Sequence, residues 1–253
     1  MPRYIREGRM GPPKSFKTGA VVGSYPRPLL CFQFDEGGAE VVQTPLNIIE
    51  PTMEKFNALL ATPADQLPPI SIVNLAAVSK KSMTMDYAAR ANSVPLQTFI
   101  TMVNALVNKC PFKTVVVDPV TGLSDFVMQH LAAANAAALA DPRKWAPMVG
   151  GKVQQCIGVV CSLPAHTVFL MHSMLEKNEV SGQVIELPMI SSRFREIVGA
   201  DLSQFFYATK EAGKPVIYTS DRGMVRGLGA RWPQNLPNPC GPLFNDIYGK
   251  ENL

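Results

Sequence analysis

The chain has 253 residues, 47% hydrophobic and 17% charged, enough apolar sequence for one large domain with a sizeable core and too much for a disordered or fibrous protein. No run reaches the roughly eighteen consecutive apolar residues that span a bilayer, and the opening MPRYIREGRMGPPK lacks the apolar centre of a signal peptide, so a soluble cytoplasmic protein with no membrane partner is expected. The formal net charge is +4: Arg3, Arg6, Arg9, Lys14 and Lys17 face Glu7 alone in residues 1–17, and a second basic stretch runs from Arg193 to Arg231, which suits phosphate-bearing partners where it is not ordinary solvated surface.

Leu29–Phe34 (LLCFQF) is a short apolar run ending at Asp35, Glu36, Gly37 and Gly38, the pattern of a buried strand entering a loop. Ile70–Leu75 is a second strand, after the turn Leu67, Pro68, Pro69. Leu96, Phe99, Ile100, Val103, Leu106 and Val107 give Val94–Val107 the spacing of an amphipathic helix. Thr114–Val117 (TVVV) has no polar alternation, as in a parallel strand covered on both faces, and meets Asp118 and Pro119 at once. The alanine-rich Leu123–Ala140 stops at Asp141 and Pro142, and a further helix is expected over Trp145–Cys161. Thr167–Met171 is an apolar strand ending at His172, Glu176–Glu186 reads as a mobile loop or small hairpin, and Ser203–Ala208 and Val216–Ser220 are the last strands. Beyond Arg231 the prolines predict an irregular tail over about residues 232–253. Strands alternating with helices predict an α/β fold with a largely parallel sheet, in a single domain over residues 1–253. Cys31, Cys110, Cys156, Cys161 and Cys240 form no CxxC pair and read as small buried hydrophobes.

Gly11, Pro12, Pro13, Lys14, Ser15, Phe16, Lys17 and Thr18 have the frame GxxxxGK[ST] of a phosphate-binding loop, with Phe16 at the second glycine. Such a loop offers backbone N–H groups and a lysine ammonium to phosphates and a hydroxyl to Mg²⁺; Lys17 and Thr18 supply the last two. Phe16 adds bulk where a glycine turns freely, and the same residue types also make ordinary turns. Asp118, at the end of TVVV, stands where an acid would orient Mg²⁺, or else caps the following turn. Asp35 or Glu36 can polarise an attacking water; Glu36 is chosen, with Asp35 bracing the loop. His172 is a polar residue at a strand end that can sense the γ-phosphate, or serve structure alone.

The order of GPPKSFKTG, LLCFQFDEGG, TVVVDPVTGL, TVFLMHS and GLGARWPQNLP resembles the phage nucleotide-binding proteins of the RecA-like P-loop ATPase group, some of which are single-strand annealing ATPases of DNA recombination. The resemblance runs from about Met10 to Pro237. It implies a RecA-like P-loop NTPase fold, ATP and Mg²⁺ as cofactors, self-association into rings or filaments, and single-stranded DNA as partner. It matches Gly11, Lys14, Ser15, Lys17 and Thr18 to the phosphate loop, Asp118 to the metal-orienting acid, Glu36 to the base and His172 to the polar sensor. Arg231 corresponds to a late basic residue that reaches a neighbouring subunit's nucleotide. Pro119 replaces a usual serine, and Phe16 makes the loop a degenerate Walker A, which bears on hydrolysis more than on fold. The expected function is a phage ATPase acting on single-stranded DNA in recombination, annealing or repair; the alternative is a nucleotide-binding scaffold that does not hydrolyse.

Overall fold

In chain order, the computed structural model of the protein contains β1 (Arg6–Gly11), α1 (Lys17–Ser24), β2 (Leu29–Gln33), β3 (Asn47–Ile49), α2 (Met53–Ala61), β4 (Ile70–Asn74), α3 (Val94–Asn108), β5 (Thr114–Asp118), α4 (Val120–Ala134), α5 (Pro142–Cys161), β6 (His166–Lys177), β7 (Val184–Pro188), β8 (Gln204–Glu211), β9 (Lys214–Tyr218), β10 (Gly229–Ala230) and α6 (Phe244–Tyr248). The structure describes residues 4–13, 16–35, 44–76, 94–134, 141–177, 182–190, 198, 202–225, 227–231 and 235–249.

The strands form one sheet in the order β10-β8-β1-β6-β5-β2-β4-β3, with β7 added to β6 and β9 to β8. From β8 to β3 every pairing is parallel; β7, β9 and β10 are antiparallel additions. This is the α/β architecture with a mostly parallel sheet that the alternating pattern predicts. Successive side chains of a strand point to opposite faces, and the two hydrophobic cores divide accordingly. Val115, Val117, Leu30, Phe32 and Phe169 pack with residues of α2 to α5, among them Phe56, Phe99, Phe126 and Val153. Val116, Leu29, Cys31, Val168 and Leu170 pack with Val21 and Val22 of α1 and with Phe244, Ile247 and Tyr248 of α6. The unbroken apolar runs are thus buried on both sides.

Three elements depart from the expectations. β1 has no apolar run, because Glu7 and Arg9 interrupt it; both are fully buried and paired with each other. α6 lies inside the tail expected to be irregular: it starts after Pro242, and the Asp246 carboxylate accepts from the Leu243 N–H at 3.1 Å. α4 begins at Val120, directly after Pro119 and ahead of the alanine-rich stretch; residues 135–140, where that stretch was expected to end, lie outside the described residues. The polar segment 176–186 is built on a hairpin, since β6 runs out past the sheet to Lys177 and folds back as β7. Cys31 and Cys156 are buried and Cys110, Cys161 and Cys240 partly so, and none is in a disulfide. No helix among the described residues is long and apolar enough to cross a membrane.

Candidate functional site

β1 ends at Gly11, where β8 leaves no room for a side chain: a Cβ there would lie 2.0 Å from the Ala208 carbonyl oxygen. The chain turns through Pro12 and Pro13 and enters α1 at Lys17; Lys14 and Ser15 lie outside the described residues. Phe16 caps α1 in the left-handed conformation, φ 71 and ψ 15, the one a glycine adopts freely. Phe16 is 41% exposed, and its ring lies over the first turn of α1, so that a Cβ at Gly19 would approach it to 3.3 Å. The first turn of a helix carries N–H groups without intrahelical acceptors and the positive end of the dipole, so the start of α1 favours an anion.

Lys17 is buried, and its Nζ donates to the carbonyls of Gly11 and Pro12, each at 2.9 Å. Burial draws its pKa down to about 8, against the upward pull of Asp118, Asp35 and Glu186. Thr18 Oγ1 donates to Asp118 Oδ2 at 2.7 Å, which joins the start of α1 to the end of β5. Burial pushes the Asp118 carboxyl up to about 6; the Thr18 hydrogen bond opposes this and Asp35 adds to it. β6 runs between β1 and β5 and sets His172 opposite Gly11. The His172 N–H donates to Thr121 Oγ1 at 3.2 Å, and its carbonyl accepts from the Met189 N–H at 2.7 Å. His172 Nε2 lies 3.9 Å from Asp35 Oδ2. Asp35 Oδ1 and His172 Nδ1 are buried and have no hydrogen-bond partner among the described residues.

The ends of β1, β5 and β6, the start of α1 and the residues just past β2 therefore bring together Gly11, Pro12, Phe16, Lys17, Thr18, Asp35, Asp118 and His172. Glu36 lies outside the described residues. Arg231 is not in this group: its N–H donates to the Ser203 carbonyl, and Ser203 precedes the start of β8, at the end of the sheet opposite the loop. Among the described N-terminal cations, Arg6 and Arg9 are also spent internally. Arg6 donates to the carbonyls of Leu163 and Ala165, and Arg9, fully buried, donates to Glu7, Tyr25 and the Pro242 carbonyl. Lys210, Lys214 and Arg222, the last bonded to Glu211, are exposed cations toward the loop end of the sheet. Sequence reading missed Glu186, whose carboxylate accepts from Ser173 and Tyr207; its only signal was a place in a polar segment.

The donor set suits a small hard cation. The Thr18 hydroxyl and Asp118 carboxylate are oxygen ligands, and no cluster of three or more His, Cys, Asp or Glu exists among the described residues. Mg²⁺ takes one or two protein oxygens and completes its shell with water and phosphate oxygens.

No protein-family model and no curated protein matches the chain. Among solved structures it is similar to a RadB recombinase (TM-score 0.41, 11% identity, 89% of this chain and 86% of that one). It is also similar to a KaiC-like protein of Pyrococcus horikoshii (TM-score 0.45, 12% identity, 96% of this chain and 88% of that one). A third is an ATPase from the type III secretion system of pathogenic bacteria (TM-score 0.43, 12% identity), where the match covers 81% of this chain and 51% of that one.

Proposed function

We propose that the chain is a RecA-like P-loop ATPase, a phage protein acting on single-stranded DNA in recombination, annealing or repair. The observation that carries the reading is the contact of Thr18 with Asp118 beside the buried ammonium of Lys17. Hydroxyl, carboxylate and ammonium are the three groups that Mg²⁺ and a nucleoside triphosphate require, here delivered by chain segments 100 residues apart.

In this reading the loop Gly11–Thr18 cradles the phosphates of ATP with its N–H groups, and Lys17 neutralises charge on the terminal ones. Thr18 and Asp118 hold Mg²⁺, which when bound offsets the charge on the phosphate oxygens. Glu36 polarises the attacking water, and Asp35 braces the loop and faces His172. His172, paired to Gly11 through the backbone, senses the terminal phosphate and reports it along β6 to the β6–β7 hairpin. Arg231 acts on a neighbouring subunit's nucleotide in a ring or filament, in keeping with its distance from this chain's own loop. Lys210, Lys214 and Arg222 supply part of the basic surface for DNA; Arg193, Phe194 and Arg195 lie outside the described residues.

Equilibrium binding of ATP with and without Mg²⁺, beside Lys17→Ala, tests the site. Mg²⁺-dependent binding that the substitution abolishes is expected, and equal affinity in both proteins refutes the assignment. Phe16, left-handed and exposed at the glycine position, favours the second reading, a nucleotide-binding scaffold without hydrolysis. Turnover that rises with single-stranded DNA and collapses in Glu36→Gln excludes it.

A further inference from the structure

Glu186 stands outside every sequence motif, yet three segments meet at its carboxylate beside the phosphate loop. Ser173 Oγ donates to one oxygen and Tyr207 OH to the other, the latter at 2.9 Å. Ser173 is on β6 and Tyr207 on β8, the strands that flank β1. Tyr207 lies opposite Met10, and Ser173 is one residue past the pairing of His172 with Gly11. The carboxylate therefore spans the end of β1, where the chain leaves the sheet to form the loop. Its backbone is fixed too: the Glu186 N–H donates to the Met224 carbonyl at 3.0 Å, next to a bridge with Val225.

Each oxygen of the Glu186 carboxylate accepts one hydroxyl hydrogen, which fixes the orientation of the group. Lys17 Nζ donates to Gly11 and Pro12, at the same turn of chain. Asp118 and Asp35 lie toward β5 and β2, the side on which Thr18 meets Asp118, so a cation held there compensates them. Glu186 lies on the side of β8 and β6, where the Lys17 ammonium is the cation it acts on, so its charge offsets part of what Lys17 offers an incoming anion.

We infer that Glu186 is an affinity-setting residue of the phosphate site, a fixed negative charge that opposes a bound polyphosphate and speeds its release. The inference rests on the reading of Gly11–Thr18 as a phosphate loop. Glu186→Gln keeps the shape and one accepting oxygen and removes the charge. ADP binding with Mg²⁺ at pH 6.5 and low salt, followed by equilibrium titration and by dissociation rate, should be roughly tenfold tighter in the variant, the gain appearing in slower dissociation and shrinking as salt is added. Glu211→Gln removes an equal charge from the last residue of β8, past Tyr207, where Glu211 is partly exposed and paired with Arg222, and leaves affinity unchanged. Glu186→Met, a second variant without the charge, carries the same expectation should Glu186→Gln fail to fold. Unchanged or weaker binding in a folded Glu186 variant, with normal binding by the wild-type chain, overturns the inference and leaves the loop assignment standing. A wild-type chain that binds no ADP overturns both.

Discussion

Phe16 separates backbone strain from side-chain packing at the most constrained point of the site. At φ 71 a residue with a Cβ bears roughly 1–2 kcal/mol of left-handed strain that glycine does not. Glycine in turn loses about 0.5–1 kcal/mol more backbone freedom on folding. Phe16→Gly and Phe16→Ala both delete the ring over Gly19, so their difference isolates the backbone, and the glycine variant should be roughly 0.5–1 kcal/mol the more stable. For a chain of this size that is about 1–4 °C in Tm. Paired urea and thermal unfolding of the two variants measures it, without nucleotide, so that binding does not add to stability. An alanine variant as stable as the glycine variant, or more so, would refute the argument, because residue 16 would then not hold the left-handed conformation in solution.

In the proposed phosphate site an ammonium at Lys17 serves only while protonated; with its pKa drawn down to about 8, nucleotide affinity should fall about tenfold per pH unit above that point, read by titration at several pH values. Between about 8 and the ordinary 10.5 the unfolded chain holds the extra proton, so Lys17 makes fold stability rise with pH across that window. Asp118 acts oppositely: between 3.8 and about 6 the folded chain holds the extra proton, and its contribution to stability falls as pH rises. Asp118→Asn should therefore raise Tm at pH 7 while ending the Mg²⁺ dependence of nucleotide binding; a lower Tm contradicts the desolvation argument. Tyr248→Phe removes a donor from the buried Glu7 carboxylate and should cost about 1–3 kcal/mol in urea unfolding, with little effect on nucleotide affinity. Gly11→Ala places a methyl group against the Ala208 carbonyl and should separate β1 from β8, seen as lost solubility or a large fall in Tm.

Much of this protein was readable in the order of its residues, for reasons that are local. TVVV, LLCFQ and TVFLM are continuous apolar runs that only a sheet covered on both faces can bury, and Leu96 to Leu106 recur at the spacing of one helix face. The loop residues Lys17 and Thr18 were legible as a motif, and Asp118 as an acid at a strand end. Their contact was not, because only the parallel packing of β1, β6 and β5 draws segments 100 residues apart into one site.

The tertiary structure alone decided the rest, most clearly where charge is buried. Glu7 and Arg9 make β1 look like a surface segment, and the cost of desolvating them is offset by Tyr25, Tyr248 and the Pro242 carbonyl, partners as much as 241 residues away. Those partners also draw α6 out of a proline-rich tail and onto α1. Glu186 has no motif, and its contacts with Ser173 and Tyr207 follow from the hairpin that carries it back along β6. Arg231, read as part of a nucleotide site, lies at the far end of the sheet because β10 runs antiparallel to β8. Propensity and hydrophobic spacing report on neighbours along the chain; the partners of a buried charge are set by topology.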